Sequence, residues 1–379
     1  MTHSTEIVRY RYRLRPGAGA EGALLAEWGR CRWLWNEAVH QFRTGRRPTF
    51  GTLSKLLTQA RKRTTWLREG SQDAQQQVLR TFAQALDQAF QVKGRGRPQP
   101  KSRKRSLPSL SYSRNGFAIK DGRLVLPTGV TVPVVWSRDL PSGPTSVRVY
   151  QDNLGHWYAS FVVRRQVELL PAASGGIGVD WGVSVTATTM DPAYDLPHVG
   201  ARKAAAKDMA AAQRRMARRR RPKHQGQSKG YRRAQAEAAK LAKKAAWRNT
   251  HAGRVWARKV VADHQLIAVE DFRAKFLARS TMAKKAADAA VGTIKRTLIE
   301  YAQRAGRKVV LVQPAYTTMT CHACFARNKR LLLDDRVFSC QTCGLVQDRD
   351  RNAARTILAV AERGHTSARE HQTSAIPSP

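Results

Sequence analysis

Residues 7–14, IVRYRYRL, alternate apolar and basic side chains, the period of a strand with one buried face and one wet, positive face. PGAGAEG breaks that pattern, and three helical stretches follow to about residue 92. Their apolar positions recur at helical spacing: Leu24, Leu25, Trp28, Trp33 and Leu34, then Leu53, Leu56 and Leu57, then Val78, Leu79, Phe82, Leu86 and Phe90. Such spacing predicts tryptophans that face a helical core in preference to stacking on bases. KGRGRPQPKSRKR at 93–105 excludes regular helix, and after it come short strands: SYSRNGFAIK, GRLVLP, VTVPVVW, SVRVYQD and HWYASFVVRR. Their turns carry N-G, D-G and P-S-G. Joined to the first strand, they predict one antiparallel β-barrel, split in sequence by the helical insertion.

From Gly175 the pattern changes. GGIGVDWGVSVTATTM predicts an apolar strand with Asp180 near its middle, then a second strand. A basic helical pair covers about 201–263, interrupted by RRRRPKHQGQSKGYRR. HQLIAVEDF reads as a buried strand ending in Glu270, 283–306 as helix, RKVVLVQP as a strand and about 351–363 as a final helix. Strands alternating with helices predict an α/β domain, so the whole chain is multidomain α+β. HTSAREHQTSAIPSP has the composition of a disordered tail.

Charge narrows the partners. The 379 residues suffice for two or three domains, and 68 Lys+Arg stand against 27 Asp+Glu, a net charge of +41. A charge that large repels itself unless an anionic polymer neutralises it. No apolar run approaches membrane-spanning length, and MTHSTEIVRYRYRL reads as a strand, not a signal peptide. The expectation is a cytoplasmic, nucleoid-associated protein that binds nucleic acid and no membrane. The 93–105 loop is either a solvated linker or a strap laying Arg95, Arg97, Lys101, Arg103, Lys104 and Arg105 along phosphates. Arg218, Arg219, Arg220 and Arg221 form a second candidate phosphate-binding run.

Four of five cysteines form two C-x-x-C pairs, Cys321/Cys324 and Cys340/Cys343, fifteen residues apart. That spacing suits one tetrahedral zinc, and four thiolates leave no open position, so the metal would be structural. Cys31, in a helical run, reads as a buried thiol without a role.

Beyond the second pair the chain runs into D-R-D-R-N-A-A. Two-metal phosphodiester hydrolysis needs carboxylates that converge from separate elements. Asp180 interrupts an apolar strand, where an unpaired carboxylate is costly; Glu270 ends another; Asp350 opens the last helix. Alternatives stay open at each. Asp350 reads equally as a helix cap, Glu270 as a strand-end salt bridge, and Asp348 and Asp271 are rival ligands.

At these residues the chain resembles the TnpB (OrfB) proteins of insertion sequences, relatives of compact type V CRISPR nucleases. RYRLRP with R-W-L-W-N resembles their N-terminal strand and helix entry; GRPQPKSRKRS and a later VLP, their basic loop and barrel. AAQRRMARRRR and KGYRRAQAEAAKLAKKAAWRN resemble their basic helical hairpin, and IGVDWGV, IAVEDF and DRDRNAARTIL their three RuvC motifs in order. The resemblance implies a catalytic triad of Asp180, Glu270 and Asp350, the last chosen over Asp348 by the D-x-N-A pattern, holding two Mg²⁺. It implies a wedge-like barrel (1–16 and 93–170), a helical recognition domain (17–92), a RuvC/RNase H-like domain (171–314 and 345–363), a zinc ribbon (315–344) and a tail (364–379). It further implies a guide RNA from the element's end, a double-stranded DNA target beside a short motif, and one monomer per RNA. A nuclease-silent guided repressor, an unguided nuclease or transposase, and a CRISPR effector are the competing functions. Two departures stand out: Phe325 follows Cys324 where the family has glycine, and the ribbon loop carries L-L-L-D-D.

Overall fold

In the computed structural model the alternation at the start becomes strand β1 (Thr5–Leu14), with Val8, Tyr12 and Leu14 buried and the arginines between them turned outward or half-buried. The structure describes residues 5–364 and 368–370, except 46, 104, 168, 223–224, 273–281, 330 and 332–334. These form two units, residues 1–166 and 167–379.

In the first unit, helices α1 (Ala18–Thr44), α2 (Phe50–Arg63), α3 (Thr65–Arg68) and α4 (Gln72–Gln91) separate β1 from β2 (Ser109–Ser113), β3 (Ala118–Lys120), β4 (Arg123–Val125), β5 (Thr131–Val135), β6 (Ser146–Gln151) and β7 (Trp157–Gln166). The strands pair antiparallel in the order β2-β6-β7-β1-β5-β4-β3, so the sheet is split in sequence by helices, with β1 at its centre. Its edge strands β2 and β3 are consecutive, joined only by residues 114–117. Five Cα steps span no more than about 17 Å, whereas the edges of a flat seven-stranded sheet lie about 29 Å apart. The sheet therefore curls back towards itself.

The curled sheet packs Tyr12, Val147 and Phe161 against Leu24, Trp28 and Cys31 of α1. A second core lies among the helices, around Trp35, Leu57 and Phe82. Leu25, Trp33, Leu56 and Phe90, expected in the core, are exposed. Three of them sit next to a buried leucine (Leu24, Leu34 or Leu57), and neighbours on a helix point about 100° apart, so one core stripe seldom holds both. The helix also begins earlier than expected, inside PGAGAEG, with Gly17 at its N-cap. Burial pushes the Cys31 thiol up, as suits a structural cysteine.

The second unit is built on a mixed sheet. β8 (Gly176–Trp181) turns into β9 (Val185–Thr189) and β10 (Leu196–Pro197). Helices α5 (Ala201–Ala204), α6 (Ala206–Arg218) and the 35-residue α7 (Lys229–Asp263) lead to β11 (Leu266–Glu270). Then α8 (Ala283–Ala289) and α9 (Val291–Arg304) lead to β12 (Lys308–Val312). The single helix expected over 283–306 is broken at Ala290, which is left-handed (φ 54°). β13 (Val337–Ser339) and β14 (Val346–Asp348) form a separate hairpin, followed by α10 (Arg349–Glu362) and β15 (Ala368–Glu370). The large sheet has the order β10-β9-β8-β11-β12-β15, with β8, β11 and β12 parallel. Residues 368–370, assigned by composition to a disordered tail, pair antiparallel with β12. Strand pairing uses backbone groups that composition does not register.

The sheet is covered on both faces. Ile177, Val179 and Trp181, with Ile267 and Val269, pack against Trp256 and Val260 of α7 and Leu298 of α9. On the opposite face Ala268, Val310 and Val312 meet Ile357 and Leu358 of α10. Gly178 makes that second packing possible: a Cβ there would lie 1.8 Å from the Ala354 carbonyl oxygen. Among the described residues no helix is long and apolar enough to cross a membrane.

Candidate active site and metal centre

Val179 stands opposite Val269 on the parallel strands β8 and β11, so Asp180 and Glu270 are the next residues of neighbouring strands. Strand alternation sends them to the α10 face, away from the core formed by Val179 and Trp181. Asp180 is second to last in β8, nearer the strand's end than its apolar run suggested. Both are buried, at 8 % and 6 % exposure, and they share a hydrogen bond. Burial raises the Asp180 carboxyl well above the carboxylate range, and the charges of Glu270 and then Asp350 raise it further. Burial likewise pushes Glu270 up to about 7, against the pull of the Trp181 backbone N–H and Lys295.

Asp350 lies in the first turn of α10, where the helix dipole favours negative charge. It is turned to arginines: Arg349 donates from Nε and Nη2, both at 3.2 Å, and Arg336 Nη1 is 3.7 Å away. Its charge acts on Asp180, but the three carboxylates do not close into one cluster. The rival carboxylates have structural partners. Asp348 is the N-cap of α10, accepting from the Arg351 N–H at 2.8 Å, and Asp271 pairs with Lys295 Nζ at 2.6 Å.

Residues unsuspected from sequence hold α10 in place. Arg351 makes a two-pronged pair with Asp195 at 2.8 Å and donates to the Thr189 carbonyl at 2.6 Å. Asn352, fully buried, donates to the Thr320 carbonyl (2.7 Å) and accepts from the His322 N–H (3.1 Å), while Thr356 also donates to Thr320 (3.0 Å). The glycines of IGVDWGV were the one available signal: Gly178 marks a close approach. Arg351 and Asp195 are 156 residues apart, and no local pattern links them.

The four cysteines converge. Their sulfurs all lie within 4.8 Å of one another, with Cys321–Cys343 at 3.7 Å and Cys324–Cys340 at 3.5 Å. A tetrahedron of Zn–S bonds has sulfur–sulfur edges of about 3.8 Å. The donor set and spacing fit zinc, and among the described residues this is the one group of three or more metal-type side chains so assembled. Backbone N–H groups point at the sulfurs: Ala326 at Cys324, Leu345 at Cys343, and Cys343 and Thr342 at Cys340, whose thiol they lower to about 6. Cys321 and Cys340 are buried around Phe338. Phe325, at the glycine position of the first knuckle, adopts φ 61°, like Gly344 (φ 73°) in the second. Its ring packs beside the α10 core and carries the Arg363 guanidinium at 3.8 Å. Of the L-L-L-D-D stretch, 332–334 lie outside the described residues.

The basic candidates divide. Trp35 and Asn36 of α1 hold the loop backbone at Gln99 and Lys101. The Lys101 ammonium lies 3.6 Å from the Trp35 ring centroid, half-buried, and burial lowers it to about 8. Arg97 is exposed but stacks on Phe42 and Phe90. Arg95, Arg103, Arg105 and Arg218 to Arg221 are exposed, and Lys104 lies outside the described residues.

Residues 292–357, which span α9, β12, the cysteine module and the start of α10, match the family model of the Cas12f1-like TNB domain. A Streptomyces pristinaespiralis protein provisionally named an RNA-guided DNA endonuclease is 29 % identical over 364 residues, covering 92 % of this chain and 88 % of that one. InsQ of Escherichia coli K12, provisionally named in the same way, is 25 % identical over 380 residues, covering 92 % and 91 %. Among solved structures, Cas12f1 in its complex with single-guide RNA and target DNA aligns over 94 % of this chain and 98 % of its own, at 11 % identity and a TM-score of 0.48. Across the matched domain and the near full-length relatives, the chain is similar to TnpB-like proteins.

Proposed function

We propose that this chain is an RNA-guided DNA endonuclease, with Asp180, Glu270 and Asp350 as its catalytic carboxylates. The observation that carries this is the placement of Asp180 and Glu270, both buried, beside each other at the carboxyl ends of parallel strands, under the N-terminus of the helix that bears Asp350. Ligand sites of open α/β sheets form at such strand ends. The sheet order, three antiparallel strands followed by two parallel ones, supports a RuvC/RNase H-like domain, and the curled split sheet supports a wedge-like barrel around a helical recognition insert.

The donor set suits hard cations: all oxygen, with Asp180 and Glu270 buried and their carboxyls raised chiefly by that burial. Two Mg²⁺ held by Asp180, Glu270 and Asp350 would supply an activated water and stabilisation of the leaving oxygen. The protein's own part is positional. Gly178 lets α10 approach β8, Arg351 and Asp195 fix the helix start, and Lys295 keeps Asp271 out of the site. Arg349, close to both Asp180 and Asp350, balances their charge and must yield Asp350 when cations bind. The cysteine module, with one structural zinc, secures the same helix through Thr320 and Asn352.

The relatives' names support RNA guidance. With a charge of +41, the chain can hold an RNA scaffold and heteroduplex by their backbones, leaving base pairing to read the DNA. The test is to purify the chain with its flanking DNA co-expressed and sequence the RNA that accompanies it. One structured RNA with a variable end, directing cleavage of a matching target beside a short motif, is expected. Heterogeneous RNA together with unguided cleavage would overturn guidance.

A further inference from the structure

Trp247, midway along α7, is 61 % exposed although it is one of the largest apolar side chains in the protein. His251, one turn on, stacks nearly parallel on it (5.2 Å between centroids, 10° between planes), which leaves the other indole face open. Lys240, Lys244 and Arg254 are exposed and fall on the same helical stripe, about 21 Å long. No acidic residue occurs between Glu237 and Asp263. The opposite side of the helix is fixed. Ala245, Asn249 and Gly253 are buried, Asn249 donates to the Asp288 carboxylate at 3.0 Å, and Gly253 lies against Ile294. The indole is thus presented on a rigid support, between cations.

A flat aromatic face flanked by cations is the chemistry that receives an unpaired base while its phosphates are held on either side. Duplex DNA offers no free base face. Position in the fold selects further, because α7 covers the sheet face opposite α10, whereas Asp180 and Glu270 turn towards α10. A strand held on α7 is therefore not the strand being cut. We propose that the outer face of α7, centred on Trp247, docks an unpaired segment of the RNA that the guided-nuclease function requires to remain intact.

The test uses the full chain and three probes: oligouridine carrying 4-thiouridine, oligodeoxythymidine carrying 4-thiothymidine, and an RNA duplex. After irradiation, oligouridine is expected to crosslink at Trp247, and the DNA oligomer on the α10 side. Trp247→Ala should abolish that adduct and weaken oligouridine binding roughly tenfold, without changing duplex binding or thermal stability. Trp247→Phe should retain most of the affinity, and Lys240→Ser with Lys244→Ser should flatten the salt dependence. Unchanged oligouridine affinity and crosslinking in Trp247→Ala, or DNA labelling Trp247 more strongly than RNA, would overturn the proposal. A wild-type chain that never cleaves DNA would count against the nuclease function and leave the Trp247 adduct in place, so the two failures are separable.

Discussion

The cysteine module, whose four sulfurs could hold a metal, and the carboxylate site proposed to hold one stand at opposite ends of pre-assembly. The four sulfurs already sit at near-tetrahedral distances, and backbone N–H groups lower the Cys340 thiol to about 6. The carboxylates are half-assembled: Asp180 and Glu270 share a hydrogen bond, and Asp350 is held by arginines. Neutral thiols on short knuckles can be brought together by the backbone at modest cost. Buried carboxylates cannot be crowded without counter-charge, so protons and guanidinium groups take that place. A structural site can be finished in the fold, whereas the site proposed to admit cations and substrate keeps its third carboxylate, Asp350, paired with arginines.

The largest way to break this contrast is to remove a thiolate. Cys340→Ser should abolish stoichiometric zinc binding, measured by elemental analysis, and with it folding energy of about 10 kcal/mol at the module. Because Thr320 holds Asn352 and Thr356, guided cleavage should also fall at least about tenfold. Full cleavage by a zinc-free protein would show that the two sites are independent.

Gly178→Ala comes next. The new methyl must push α10 off β8, costing about 3 kcal/mol in denaturant unfolding, and should reduce cleavage more than it reduces DNA binding. A variant as stable and active as wild type would mean that α10 does not sit as close as described.

Acid–base behaviour gives a smaller, signed effect. Native Glu270 keeps its proton up to about 7, and Asp180 is also raised, while the unfolded chain releases both above about pH 4. The native state therefore binds more protons than the unfolded one between those limits. The stability linked to these protons is complete at acid pH and is lost as pH rises through about 7. In magnesium-free buffer the second unit should melt a few degrees lower at pH 8 than at pH 6, and added magnesium should narrow that gap. The opposite slope would contradict a pair of carboxyls raised by burial.

Phe325→Gly should matter least. Glycine relieves a left-handed backbone costing about 1–2 kcal/mol but gives up the ring beside α10 and under Arg363. Net stability should change by less than about 1 kcal/mol. A loss several times larger would make Phe325 a principal anchor of the ribbon.

Much of this was legible in the chain. Alternation and apolar runs located β1, β8, β11 and β12, because burial on one or both faces leaves a period in the sequence. The C-x-x-C pairs announced their convergence, since both halves are local. The inward or outward fate of Trp33 and Phe90 was not legible, because it depends on which helix covers which stripe. Nor were the Arg351–Asp195 pair, the capping role of Asp348, the break at Ala290 or β15. Each is decided by a partner distant in sequence or by backbone geometry. The same limit hid Lys101, whose charge suggested phosphate but whose ammonium rests on Trp35.

The most direct measurement compares Asp180→Asn with wild type in guided cleavage and in target binding, at saturating magnesium. The amide keeps the side chain's shape and removes the charge that would hold a cation. Cleavage should fall by about 10⁴-fold while guide-dependent binding of the target persists. Cleavage at the wild-type rate would contradict the assignment of Asp180 to the active site, and with it the function proposed for this sheet edge.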